Sequence, residues 1–260
     1  MITFNKQLVK TKLEIKKMQA AGSLNDLVLR EVKAMIKPGV ATRDLDTAAE
    51  AIIRDHGGIP TFKGYPGPYP YPATLTISIN EEMVHGIPSG RVLKEGDVVS
   101  VDCGSTLDGF IGDSAFTVGV GEIDEEKQRL IDVTRESLYK GIEQMRPGKQ
   151  IGDIGAAIQA HVEGAGYHVP RQYTGHGVGK EMHEPPQVPN FGVPGQGMTL
   201  KEGMTIAIEP MVLVGTSQTR VLSDQWTVIS VDHSLTAHYE HTVAVTANGP
   251  LILTRYQEQG

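Results

Sequence analysis

The chain is poor in cysteine. Among its 260 residues Cys103 stands alone, so no internal disulfide can form, which is compatible with a reducing compartment. Positive charge is not in excess either. Against 31 aspartates and glutamates there are 24 lysines and arginines, and the net charge of -7 leaves no basic stripe of the kind that grips nucleic acid. No segment approaches the roughly 20 apolar residues of a membrane span, and the lysine-dense start MITFNKQLVKTKLEIKKMQ lacks the apolar core of a signal peptide. These absences lead us to expect a soluble, cytoplasmic protein that binds neither membrane nor nucleic acid. No linker is convincing enough to cut the chain and no sequence repeat is clear, so a single domain over residues 1–260 is expected. With 39% hydrophobic residues it can bury a substantial core.

Helical spacing of apolar groups predicts helices over residues 4–21 and 24–36, the second stopped by Pro38-Gly39. A third is expected after Thr42, read as its N-cap, with Asp44 and Asp46 in the first turn and Gly57-Gly58 at the end. Residues 60–72 break the pattern with five prolines among Tyr65, Tyr69 and Tyr71, a composition that reads as a stiff surface loop. From Thr74 short strands dominate: TLTISIN, VVSVDCG, FIGDSAFTVGV, MTIAIEP, QWTVISV, AHYEHTVAVT and LILT, with helices near 125–145 and 153–164. Helices precede strands in both halves, which predicts an α+β domain of two related halves.

Acidic residues stand where strands disfavour them. A hairpin turn at Leu107-Asp108 would set Asp113 directly across from Asp102, a turn at Asp108-Gly109 would set it on a neighbouring diagonal of the same face, and an odd loop would separate them. Like charges opposed across a hairpin are destabilising, so convergence calls for protonation, solvent or a cation. Glu209 ends the apolar run TIAIE, and Glu240 interrupts AHYEHTVAV. In TGHGVGKEMHEPP, at 174–186, His176 sits between glycines and His183 before two prolines, on chain too irregular for a helix or a long strand. Four acidic groups in strand contexts plus loop histidines read as a metal site.

These segments, with NEEMVHGIP at 80–88, DCGSTLDGFIGD at 102–113, IEP at 208–210 and YEHT at 239–242, resemble the type I methionine aminopeptidases of bacterial type over nearly the whole chain. The resemblance implies the pita-bread fold shared with creatinase and other aminopeptidases: an antiparallel sheet with helices on its outer face and pseudo-two-fold halves, forming one catalytic domain. It implies two divalent ions held by Asp102, Asp113, His176, Glu209 and Glu240, with Asp113 and Glu240 bridging. An oxygen-rich ligand set favours Mn2+, Fe2+ or Co2+ over a thiolate-type zinc site. The implied reaction is removal of N-terminal methionine from peptides and nascent polypeptides when the second residue is small, with metal-bound hydroxide as nucleophile and Glu209 as proton shuttle. His85 and His183 would contact the substrate and stabilise the tetrahedral state. The methionine pocket maps onto Phe62, Tyr65, Thr76 and Trp226, the only tryptophan, whose aromatic walls suit a thioether.

Departures from the pattern are Phe62 and Thr76, where some members carry cysteine, an expanded PGPYPYP run, and His238, where glutamine is common. A monomer is expected, and proximity to the ribosome is left open. The nearest rivals are a prolidase-like or aminopeptidase P-like enzyme, which would usually bring an extra N-terminal domain, and a non-catalytic binding protein, which would depart at the ligand positions.

Overall fold

The computed structural model describes residues 8–255; residues 4–7 of the first expected helix lie outside them. Lys12–Met35 is one continuous helix, α1, where the sequence predicts two. Its start is fixed by Thr11, whose hydroxyl accepts the Glu14 N–H at 3.2 Å while the Glu14 carboxylate accepts the Thr11 N–H at 2.9 Å, so two orphan donors are satisfied reciprocally. Gly22, which suggests a break, stays helical for a packing reason. A Cβ there would collide with the Leu253 carbonyl, and a Cβ on Gly112 would strike Gly22 itself. Helix and sheet meet backbone to backbone at these two glycines.

Helix α2 (Thr42–Asp55) begins one residue earlier than expected, with Ala41 rather than Thr42 at the cap. The Thr42 hydroxyl is taken by Ser89, accepting its N–H at 2.8 Å and donating to its carbonyl at 3.1 Å. Helices α3 (Glu125–Ile142) and α4 (Ile151–Gly164) fall where the spacing predicts them.

The strands are β1 (Ile59–Pro60), β2 (Leu75–Ile79), β3 (Glu82–Val84), β4 (Val98–Leu107), β5 (Phe110–Gly119), β6 (Thr174–Gly177) and β7 (Glu184–Pro189). There follow β8 (Thr205–Ile208), β9 (Met211–Leu213), β10 (Thr219–Val221), β11 (Val228–Ser230), β12 (Thr236–His238), β13 (Glu240–Thr246) and β14 (Gly249–Ile252). The main sheet runs β1, β4, β5, β13, β8, β6, β7, with β2 also on β4 and β14 on β13. Its described pairings are antiparallel. Helices α1 and α2 cover its first half through Val28, Leu45, Ile53, Leu75, Val99 and Val101. Helices α3 and α4 cover the second through Leu138, Ile154, Ile158, Ile206 and Val243. The α+β architecture expected from the order of elements is therefore present, with one helix pair per half. AHYEHTVAV, read as one strand, is broken at Tyr239, so Glu240 opens β13 instead of sitting in mid-strand.

Candidate metal centre

Asp108 and Gly109 form the tip of the β4–β5 hairpin, both at positive φ (50° and 75°), the backbone that a two-residue type I′ turn requires. Leu107 then pairs with Phe110, Asp102 with Ala115 and Gly104 with Asp113. Of the alternatives open in the sequence, this is the diagonal one: the two carboxylates share a face without standing opposite each other. On the far side of Ala115 its partner in β13 is Glu240, so Asp102 and Glu240 flank a single alanine. Glu209 directly follows β8, whose Ile208 pairs with His241, which brings it beside Glu240. His176 lies in β6 opposite Ala207 of β8. Five adjacent strands, β4, β5, β13, β8 and β6, thus each deliver one side chain to the same face, Glu209 from just past its strand end.

Asp113, His176 and Glu240 each place a ligand atom within 4.8 Å of the others'. His176 Nε2 lies 3.6 Å from Asp113 Oδ2 and 3.5 Å from Glu209 Oε1. Its Nδ1 is 3.0 Å from the Gly177 carbonyl; since a carbonyl only accepts, the proton sits on Nδ1 and the Nε2 lone pair faces the carboxylates. Burial pushes His176 down to about 3, so it is neutral and forms no ion pair there. Burial also raises Asp102, Glu209 and Glu240 well above the usual carboxylate range, with repulsion from Asp113 adding to it in each, and lifts Asp113 to about 7. Asp102 Oδ1, Asp113 Oδ1 and Glu240 Oε1 are buried without a hydrogen-bond partner among the described residues. Buried oxygens left without donors are expensive, and a lone pair aimed among them worsens the balance. Cations fit this set: four carboxylates and one neutral imidazole are hard donors that lack only positive charge.

All five donors line a cavity of about 190 Å³. All four residues expected in the side-chain pocket, Phe62, Tyr65, Thr76 and Trp226, line it, as do His85 and His183. The surface-loop reading of residues 60–72 fails at Phe62 and Tyr71, which are 8% and 3% exposed. Tyr71, which the sequence does not single out, is held by hydrogen bonds from its hydroxyl to the Leu75 and Gly86 carbonyls, both 3.0 Å, and meets Trp226 edge-on at 5.1 Å. Met182 also lines the cavity. Its only sequence signal is its place just before His183.

His85 adopts positive φ, 62°, a conformation costly for a residue with a Cβ and worth noting beside a pocket. It is half-buried, and burial lowers it to about 4. His183 lies at the mouth, its ring 4.3 Å from that of His176 and its Nδ1 2.5 Å from the Tyr65 hydroxyl. The loop beneath it is anchored by Glu184, which accepts the N–H groups of Lys180 and Glu181 at 2.9 and 3.2 Å and pairs with buried Lys10 at 2.5 Å.

The profile of metallopeptidase family M24 matches residues 16–247. The methionine aminopeptidase of Clostridium acetobutylicum is 52% identical over 248 residues, covering 95% of this chain and 98% of that protein. This chain belongs to family M24, among its methionine aminopeptidases. Family membership makes it a metal-dependent hydrolase and the curled sheet a pita-bread fold. The crystal structure of the Thermotoga maritima methionine aminopeptidase superposes with a TM-score of 0.93 at 47% identity, covering 95% of this chain and 99% of that one. The Pyrococcus horikoshii prolidase shares the fold, with a TM-score of 0.77 at 23% identity over 97% of this chain and 65% of its own. No helix among the described residues is long and apolar enough to cross a membrane.

Proposed function

We propose that this chain, acting as one catalytic domain in the cytoplasm, removes N-terminal methionine from peptides and nascent polypeptides whose second residue is small. The observation that carries the reading is the lining of the cavity: five donor side chains from adjacent strands, together with Phe62, Tyr71, Met182 and Trp226. Asp102, Asp113, His176, Glu209 and Glu240 would hold two divalent ions, with Asp113 and Glu240 shared between them. Mn2+, Fe2+ and Co2+ suit the oxygen-rich set.

Bound ions supply Lewis acidity for the attacking water and the scissile carbonyl, and a contact for the free α-amine. Glu209 takes the proton released by the attacking water and delivers it to the leaving amine. His183, hydrogen-bonded to the Tyr65 hydroxyl through Nδ1, donates from Nε2 towards the carbonyl oxygen as charge develops. His85, which also lines the cavity, holds the substrate. The thioether packs against the aromatic edges, and the second residue passes between the His85 and His183 segments, where crowding favours Gly, Ala or Ser.

The test compares Met-Ala-Ser, Met-Leu-Ser, acetyl-Met-Ala-Ser and Ala-Pro-Ser under identical Mn2+ and Co2+ conditions. Met-Ala-Ser should be cleaved rapidly and the acetylated peptide not at all. Replacing methionine by alanine should cost about 2–3 kcal/mol in kcat/KM from lost apolar burial. Rapid cleavage of Ala-Pro-Ser with none of Met-Ala-Ser would replace the methionine reading by an Xaa-Pro peptidase.

A further inference from the structure

His238 is a buried imidazole facing the centre for which the proposed chemistry has no use. It is 2% exposed, and its backbone is clamped from both sides by one hydroxyl. Thr117 Oγ1 donates to the His238 carbonyl at 2.6 Å and accepts the His238 N–H at 2.9 Å. Thr117 Oγ1 also meets the Ser100 hydroxyl at 2.8 Å, and β12 pairs His238 with Met211 of β9. The ring lies away from solvent. Its Nε2 nevertheless has no hydrogen-bond partner among the described residues, an arrangement rare enough in folded proteins to demand a reason.

The acceptor it faces is Glu209. His238 Nε2 lies 3.7 Å from Glu209 Oε2, while the other oxygen of the same carboxylate, Oε1, lies 3.5 Å from His176 Nε2. The carboxylate is therefore strung between two imidazoles, one oxygen turned to the centre and the other to His238. His176 cannot donate to it, because its proton is held by the Gly177 carbonyl. His238 can. Closing the gap by about 0.8 Å reaches the usual N–H···O length, and a bond to a carboxylate is stronger than one between neutral groups.

We propose that His238 is a positioning residue: its Nε2–H donates to Glu209 Oε2 and so keeps Oε1 turned towards His176. This rests on the reading of Glu209 as a ligand. A donor that fixes a ligating carboxylate typically sets metal affinity and geometry by 10–100-fold when removed. Glu209 has to be held by one oxygen while it carries a proton, so a fixed orientation also bears on turnover.

The experiment compares wild type with His238→Leu, which removes the donor, His238→Asn, which is polar but shorter, and His238→Gln, which offers an amide N–H at similar reach. For each, Mn2+ affinity is measured by calorimetry, the Co2+ visible spectrum is recorded, and kcat and KM for Met-Ala-Ser are taken at saturating Mn2+. Thermal unfolding confirms that each variant is folded; should the leucine variant fail to fold, the asparagine variant supplies the disrupted case. Leu and Asn should weaken metal binding by about 10–100-fold, shift the Co2+ bands and lower kcat with KM within about twofold. Gln should restore all three to within about threefold of wild type. Leu and Asn variants with unchanged affinity and spectrum would overturn the role of His238, as would a Gln variant as impaired as Leu. A wild-type protein that takes up neither ion overturns the metal centre and this proposal with it, whereas a wild type that binds both distinguishes failure at His238 alone.

Discussion

The two faces of the β4–β5 hairpin each carry a buried polar cluster, and they are built by opposite rules. On the face under α1, Asn25 is fully buried and fully used: its amide donates to the Cys103 carbonyl at 2.7 Å and the Ser114 hydroxyl at 2.8 Å, and its carbonyl accepts from the Ser105 hydroxyl at 2.7 Å. On the other face Asp102 and Asp113 keep oxygens without partners, and burial raises both. A satisfied buried network stabilises and specifies a fold. An unsatisfied one costs stability and persists where something outside the polypeptide completes it. One hairpin thus separates a structural polar site from a chemical one by nothing more than strand parity.

The comparison breaks most sharply at the two carboxylates proposed to bridge. Asp113→Ala and Glu240→Ala should each lower kcat/KM by on the order of 10⁴-fold, about 5.5 kcal/mol, and release more metal on dialysis than His176→Ala. Either variant keeping two tightly bound ions and near-normal turnover would show that the carboxylate it lacks does not bridge. Less severe losses are expected at the pocket histidines. His85→Ala and His183→Ala should retain their metal while kcat falls by roughly 10²–10³-fold, measured at saturating metal; loss of metal would instead move that residue into the coordination shell.

The satisfied face should behave in the reverse manner. Asn25→Ala removes three buried hydrogen bonds and should cost about 3 kcal/mol of unfolding free energy while kcat at full metal occupancy changes by less than about threefold. Denaturant titration alongside steady-state kinetics checks both halves of that statement.

The smallest effect is on pH dependence. Asp113 holds a proton up to about pH 7 without metal, and an incoming cation must displace it. As pH falls from 8 to 6 Asp113 takes up this proton, so apparent Mn2+ affinity should weaken by roughly tenfold per displaced proton per pH unit below 7. Calorimetry at the two pH values reads this directly, and affinity that rises on acidification contradicts the sign.

Much of this contrast is legible in the sequence because charge in a strand is conspicuous. Asp102, Asp113, Glu209 and Glu240 each stand out against β-rich neighbours, and alternation along the hairpin puts the first two on one face for either even turn. What the sequence leaves open is the turn itself, settled by positive φ at Asp108 and Gly109. Packing is harder to read. Gly22 looks like a helix end, yet it is a close contact with Gly112 across the helix–sheet interface, knowable only once the two surfaces are set together. Tyr71 and Met182 carry no charge or spacing to mark them, and the proline-rich context of Tyr71 points to solvent, whereas its hydroxyl finds two carbonyls in the interior. His238 is visible as a departure from the family pattern, but its relation to Glu209 depends on a break at Tyr239 that strand propensity does not reveal.

The most direct test is anomalous diffraction from crystals soaked in Mn2+. The account predicts two peaks per chain, both within ligand distance of Asp113 and Glu240, one also reached by Asp102 and the other by His176 and Glu209. Absence of density among these five side chains, in crystals of protein that cleaves Met-Ala-Ser, would contradict it.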